Sequence, residues 1–109
     1  MKCVLASALL LTSSLSIAEC SRPTAPELPD GATADMPTMA DGQSAVKAYV
    51  VGAEAYLDCL VAQGEEAGGE ADPDAELARI EKHNATVDEM DTVADKFNEE
   101  IREYKARAK

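Results

Sequence analysis

Residues that could carry catalysis or bind a metal ion are few in this sequence. His83 is the only histidine. None of the residues three or four positions from it, which share its side of a helix, is a metal ligand: they are Arg79, Ile80, Thr86 and Val87. A catalytic base also needs a nucleophile or an orienting carboxylate beside it, and the sequence nominates neither. Because phosphate-binding glycine loops and catalytic triads are also missing, we expect a non-enzymatic protein with no metal or cofactor.

The cysteines are the second group with chemical potential. The chain has three of them, Cys3, Cys20 and Cys59. Cys3 lies in a segment that we expect to be removed, which leaves an even pair in a chain bound for an oxidising compartment. Such a pair favours a disulfide between Cys20 and Cys59, with two free thiols as the alternative. No CxxC or CxxCH spacing supports a redox site or covalently attached haem.

The amino terminus has the pattern of a signal peptide covering residues 1–18. Lys2 precedes a mostly apolar run over residues 4–11, and Ser16 and Ala18 place small residues at the two positions that signal peptidase reads. The run is too short for a membrane span, which needs about 20 residues. We therefore expect an exported protein, periplasmic or secreted. Lipidation of Cys20 is the alternative, although Glu19 stands where bacterial lipoproteins have a small residue.

Charge excludes several classes of partner. The chain has 10 Lys and Arg against 21 Asp and Glu, a formal net charge of −11. This balance opposes binding to nucleic acid and to anionic lipid, and it favours solubility or a cationic partner. With 109 residues, the chain forms one domain at most. We expect no nucleic-acid partner and no membrane association once the signal peptide is removed.

The elements that must position these residues form an all-α fold. Prolines at positions 23, 26 and 29 predict an extended leader over residues 19–36. Helices are predicted over about 37–63 and 73–108 within a hairpin region of residues 37–109, and an acidic, glycine-rich loop over 64–72 joins them. A loop this short makes the two helices antiparallel neighbours. The predicted fold is therefore an antiparallel two-helix hairpin with an extended Pro-rich amino-terminal leader.

The first helix has two different stripes. Its large apolar side chains share one arc: Val46, Tyr49, Val50, Ala53, Tyr56, Leu57 and Leu60. A second line contains only small residues: Ala45, Ala48, Gly52, Ala55, Cys59 and Ala62. Small side chains admit a second backbone, so we predict that the leader runs back antiparallel along this line to the Cys20–Cys59 disulfide. The leader can span about 53 Å in extended form, whereas Cys59 lies about 33 Å along the helix. Chance in an alanine-rich helix is the alternative for this line.

The second helix has one apolar stripe with a mean spacing of about 3.4, which is close to a coiled-coil period. Its members are Leu77, Ile80, Val87, Met90, Ala94, Phe97, Ile101 and Tyr104, with Asn84 in the same register. The second helix is predicted to outreach the first by about two turns. The exposed end would require a cover, so we expect a homodimer, which would form a four-helix bundle. The predicted interface residues are Val87, Met90, Phe97, Ile101 and Tyr104.

These features predict an exported, non-catalytic interaction or structural module that acts through helix–helix contacts with a protein partner or a second copy. One alternative is a carrier of a small ligand or cofactor, built as a dimeric helical bundle. Another is a lipid-anchored envelope protein, if Cys20 is modified.

Cleavage after Ala18 is the first testable prediction. Intact-mass measurement of the exported protein is expected to place Glu19 at the amino terminus, because Ser16 and Ala18 are the small residues at the cleavage site. A diacylated Cys20 as the first residue would contradict it.

Overall fold

Two antiparallel helices form the body of the structure, a computed structural model that describes residues 19–68 and 72–108. Helix α1 spans Met36–Ala67 and helix α2 spans Pro73–Arg107. They pack against each other, and the described residues contain no strand. The predicted helical hairpin is confirmed. The predicted signal peptide, residues 1–18, and part of the predicted loop, residues 69–71, lie outside the described residues.

Both helices begin at an aspartate cap followed by a proline in the first turn. The Thr38 amide donates to Asp35 Oδ1 at 2.9 Å, and the Asp74 amide donates to Asp72 Oδ1 at 3.1 Å. These bonds satisfy amide groups that have no partner within a helix. The hydrogen bonds from Thr38 hold the pKa of Asp35 below its ordinary value of 3.8.

The first helix is longer than predicted. It continues past Gln63 to Ala67 and ends at Gly68, whose φ of 56° is left-handed and whose amide donates to the Glu65 carbonyl. Glutamate and alanine favour a helix, and they offset the cost of Gly64. The two helices therefore have 32 and 35 residues. The predicted overhang of two turns is wrong, and the difference in length is only about 5 Å.

The leader runs antiparallel to α1, as predicted. Cys20 is bonded to Cys59, with 5.6 Å between their Cα atoms. A Cβ built on Gly52 would lie 3.3 Å from Pro23 Cβ, and one built on Gly42 would lie 2.7 Å from the Pro29 ring. The predicted small-residue line is correct for half of its members. Ala45, Gly52 and Cys59 face the leader, together with Gly42. The other members, Ala48, Ala55 and Ala62, are exposed.

Side chains from the leader complete the core between the helices. Tyr49, Ala53 and Val93 are buried together. Ala25 and Leu28 of the leader pack against this cluster. Val46, Val50 and Met90 do so from the helices. The apolar interior is therefore built from three layers, because a hairpin of two helices alone would leave one side of Tyr49 and Val93 open to water.

A tight turn fastens the end of the leader to the carboxyl end of α2. Asp30 begins the turn, and its carbonyl accepts from the amides of Thr33 and Ala34 at 3.1 and 2.8 Å. The Gly31 amide donates to Glu100 Oε2 at 2.6 Å, and Arg107 Nε donates to the Gly31 carbonyl at 2.9 Å. A Cβ on Gly31 would collide with the Glu100 backbone. This clamp covers the end of α2 that was expected to need a second copy.

Two glycines of α1 provide a matched test of the leader's position. Gly42→Ala is expected to lower the free energy of unfolding by about 1–3 kcal/mol, because the new methyl group displaces Pro29. Gly64→Ala meets only Arg79 Nε at 3.5 Å, and it is expected to raise that free energy by up to about 1 kcal/mol through helix propensity. Urea denaturation of both variants measures the difference, and equal effects would contradict this position of the leader.

Candidate interaction surface

A hydrogen-bonded group of three side chains, one each from α1, α2 and the leader, lies near the middle of the hairpin. The Tyr49 hydroxyl donates to Glu89 Oε1 at 2.6 Å, and Arg22 of the leader contacts Glu89 Oε2 at 3.0 Å. Burial raises the pKa of Tyr49 to about 12, and the Glu89 carboxylate adds to this rise. A phenol that stays protonated at neutral pH and already donates its proton to a carboxylate is not a catalytic base. This group therefore connects α1, α2 and the leader.

A cluster of three carboxylates lies at the leader's turn. Carboxylate oxygens of Asp30, Glu100 and Glu103 lie within 4.8 Å of one another. Glu100 already accepts the Gly31 amide, and Asp30 accepts the Ala32 amide. Two of the three carboxylates are therefore already engaged by backbone amides of the turn.

The face that α2 turns toward the hairpin differs from the predicted stripe. Thr86, Val93 and Phe97 are its buried residues. Leu77, Ile80 and Val87 are 55%, 50% and 36% exposed. Ala94 and Asn84 are exposed as well. These five members of the predicted stripe therefore lie outside the buried face of α2, because the mean spacing of the stripe combined residues from two neighbouring faces of the helix.

Polar side chains occupy the inward positions near the loop. Arg79, His83 and Thr86 follow one another at spacings of four and three on the less exposed side of α2. Thr86 is 1% exposed and satisfies its hydroxyl on the Lys82 carbonyl at 2.8 Å. Arg79 Nη2 is buried without a hydrogen-bond partner among residues 19–68 and 72–108. In this half of α2, Arg79, His83 and Thr86 therefore lie on the less exposed side, whereas Leu77 and Ile80 lie on the more exposed side.

The five predicted interface residues fall into different environments. Phe97 is 6% exposed within a single chain, and its ring lies 3.4 Å from a Cβ built on Gly42. Met90, Ile101 and Tyr104 are half-buried, and Arg107 stacks 5.2 Å above the Tyr104 ring. Val87 is the most open of the five. The structure thus gives much of this set a role inside the hairpin, and an interface between molecules remains a prediction.

An apolar surface, here called the outer patch, lies on the side of the hairpin away from the leader. It consists of Val61, Leu77, Ile80 and Val87, which are 36–55% exposed. Val61 follows Gly52 by nine positions and Ile80 precedes Glu89 by nine, which is about 180° around a helix in both cases. Since Gly52 and Glu89 contact the leader, the outer patch faces the opposite way.

A groove between the helices crosses the outer patch. Its volume is about 200 Å³, and it is open to solvent on one side. Its lining combines apolar residues, Leu60, Val61, Gly64 and Ile80, with polar ones, Glu76, Arg79, His83 and Asn84. Such a mixed lining is suited to hold a large apolar side chain of a partner whose polar groups meet the polar residues. Sequence reasoning missed this site because it placed Leu77 and Ile80 in one stripe with the buried Phe97.

Neither helix in the described part of the chain combines the length and the apolar character that crossing a membrane requires. The chain matches no family model, no curated protein and no solved structure.

The hydrogen bond from Tyr49 to Glu89 predicts a specific dependence of stability on pH. The pKa of Tyr49 rises from its ordinary value of 10.0 to about 12 in the folded state. The stabilisation that the protonated Tyr49 hydroxyl contributes is therefore complete below pH 10, and it is lost as the pH rises through about 12. Tyr49→Phe is expected to lose less stability than the native chain between these pH values.

Urea midpoints measured at intervals from pH 9 to pH 12 test this expectation. The difference between the two proteins isolates Tyr49 from the other groups that titrate in the same range. Parallel curves would show that the hydroxyl of Tyr49 is not held by Glu89 in solution.

Proposed function

We propose that this protein is an exported, non-catalytic interaction module that binds a protein partner through the outer patch. The observation that carries the proposal is the inverted arrangement on α2 near the loop. Leu77 and Ile80 are half exposed. Arg79 and His83 lie on the less exposed side of the helix, the same side as the buried Thr86.

This arrangement lowers the stability of the isolated hairpin. A helix selected for stability alone would turn its leucine and isoleucine toward α1 and its arginine and histidine toward water. Natural sequences depart from that pattern mainly at functional sites. Clustered apolar residues on a surface rimmed by polar ones are typical of sites of protein association. The outer patch meets both descriptions.

Export is supported by the Cys20–Cys59 disulfide, since such bonds persist in oxidising compartments. The same bond argues against the lipid-anchored alternative, because a Cys20 sulfur that is bonded to Cys59 is not free to carry a lipid. We therefore propose a location in the periplasm or outside the cell.

Site-specific photo-crosslinking tests the proposal in cells that export the protein. A photoreactive residue at position 80 is expected to form adducts with a partner, because Ile80 lies in the outer patch. The control position is 51, since Val51 is 67% exposed but lies on another side of α1. The substitutions Leu77→Ser and Val87→Ser are expected to abolish the adducts at position 80.

Stability measurements separate loss of binding from loss of folding. Leu77→Ser and Val87→Ser are expected to change the free energy of unfolding by no more than about 0.5 kcal/mol each, as is usual at exposed positions. Equal adduct formation at positions 80 and 51, or none at position 80, would refute the proposed site.

A further inference from the structure

The charges around the outer patch indicate the chemistry of the partner. We propose that the outer patch binds a cationic amphipathic helix, which places apolar side chains in the groove and Lys or Arg side chains on the rim. This inference rests on the proposed function and adds to it the chemical class of the partner.

The rim of the outer patch is acidic on both helices. Residues 51–67 of α1 contain no Lys or Arg. Exposed carboxylates lie three or four positions from the patch residues and from neighbouring Val50, Leu57 and Asn84, on the adjacent helical surface. They are Glu54, Asp58 and Glu65 of α1 and Glu81, Asp88 and Asp91 of α2.

Two basic residues, Arg79 and Lys82, lie on the same stretch of α2, and they occupy different positions. Lys82 lines a pocket with Glu19 and Cys20 of the leader, on the side away from the outer patch. Arg79 lines the groove beside Glu76, with Nη2 buried. The exposed rim around Val61 and Ile80 carries six carboxylates and, within the described residues, no exposed basic side chain, so its net charge is negative, which attracts a positive partner and repels a negative one.

The shape of the site favours a helix as the occupant. Two antiparallel helices with a groove between them form a surface on which a third helix packs through residues spaced three and four apart. The patch extends over residues 77–87 of α2, which is about 15 Å or nearly three helical turns. One large apolar side chain of the partner can enter the groove beside Ile80, where Asn84 offers a hydrogen-bonding amide.

A second copy of this chain fits the site less well. The full chain carries a net charge of −11, and removal of residues 1–18 takes away the basic Lys2. Face-to-face association through the patch would therefore bring two acidic rims together. The sequence predicts a dimer because the end of α2 would lack a cover. That end is covered by Gly31 and the leader's turn.

Designed peptides provide a direct test with the oxidised protein, residues 19–109. One fluorescent helical peptide carries leucines on one face and lysines on the other. A matched peptide keeps the leucines and replaces every lysine by glutamate. Fluorescence anisotropy is expected to show binding of the lysine peptide at least about tenfold tighter than that of the glutamate peptide, and this advantage is expected to shrink as salt increases.

Two sets of variants locate the binding site. Leu77→Ser with Ile80→Ser is expected to weaken lysine-peptide binding at least about tenfold, because these residues supply the apolar contact. Glu54→Gln, Asp58→Asn and Asp91→Asn together remove three rim charges and are expected to weaken it about fivefold at low salt. The matched control, Glu27→Gln, Asp41→Asn and Glu99→Gln, removes the same charge away from the patch and is expected to leave binding within about twofold.

The outcomes separate this inference from the proposed function. Equal binding of both peptides through Leu77 and Ile80, or equal effects of the two charge variants, would overturn the cationic partner and keep the outer patch as a site. Sedimentation of the native chain and of the Leu77→Ser and Ile80→Ser variant tests for dimers. Dimers of the native chain that disappear in the variant would make a second copy the occupant of the outer patch and would also overturn the cationic partner. If neither peptide binds and crosslinking at position 80 is also absent, both the cationic partner and the outer patch as a binding site are overturned.

Discussion

The leader's position against the hairpin is the constraint on which the rest of the structure depends. Two helices of this composition cannot enclose Tyr49 and Val93 by themselves, and Ala25 and Leu28 close the remaining side. The leader is held by a disulfide at one end and by Glu100 and Arg107 at the other. The disulfide joins residues 39 positions apart, and on the chain-entropy model it stabilises the fold by about 4 kcal/mol. For a core this small, that contribution is comparable to the total stability of many domains.

This arrangement gives the two sides of the hairpin different roles. On the leader's side, glycines at positions 31 and 42 permit close backbone contacts, and Arg22, Tyr49 and Glu89 connect the three layers. The opposite side has no such cover in the described chain. The disulfide and the leader supply stability that does not depend on the loop-proximal half of α2. That half can therefore keep Arg79 and His83 inward and expose Ile80 without unfolding the hairpin.

Local signals in the sequence were sufficient for the hairpin, for helix starts near Pro37 and Pro73, for the disulfide and for the direction of the leader. Each of these depends on residue type at nearby positions or on the reach of a short segment. The inward face of α2 was not predictable in the same way, since hydrophobicity ranks Leu77 and Ile80 above Arg79 and Thr86. The contacts of Gly31 with Glu100 and of Arg22 with Glu89 join residues 69 and 67 positions apart. Such contacts follow from the path of the leader and carry no pattern in the sequence.

The covalent ring has a consequence for the order of assembly. Both cysteines precede α2 in the chain, so the ring contains the leader and most of α1 and leaves α2 outside it. A chain that emerges from its amino terminus presents Cys20 and Cys59 before Pro73 is available. Oxidation can therefore join the leader to α1 first, and this prepares a template with Tyr49 and Leu28 on one surface. Helix α2 then docks as a separate, non-covalent step, and it remains the one layer that can detach while the disulfide is intact.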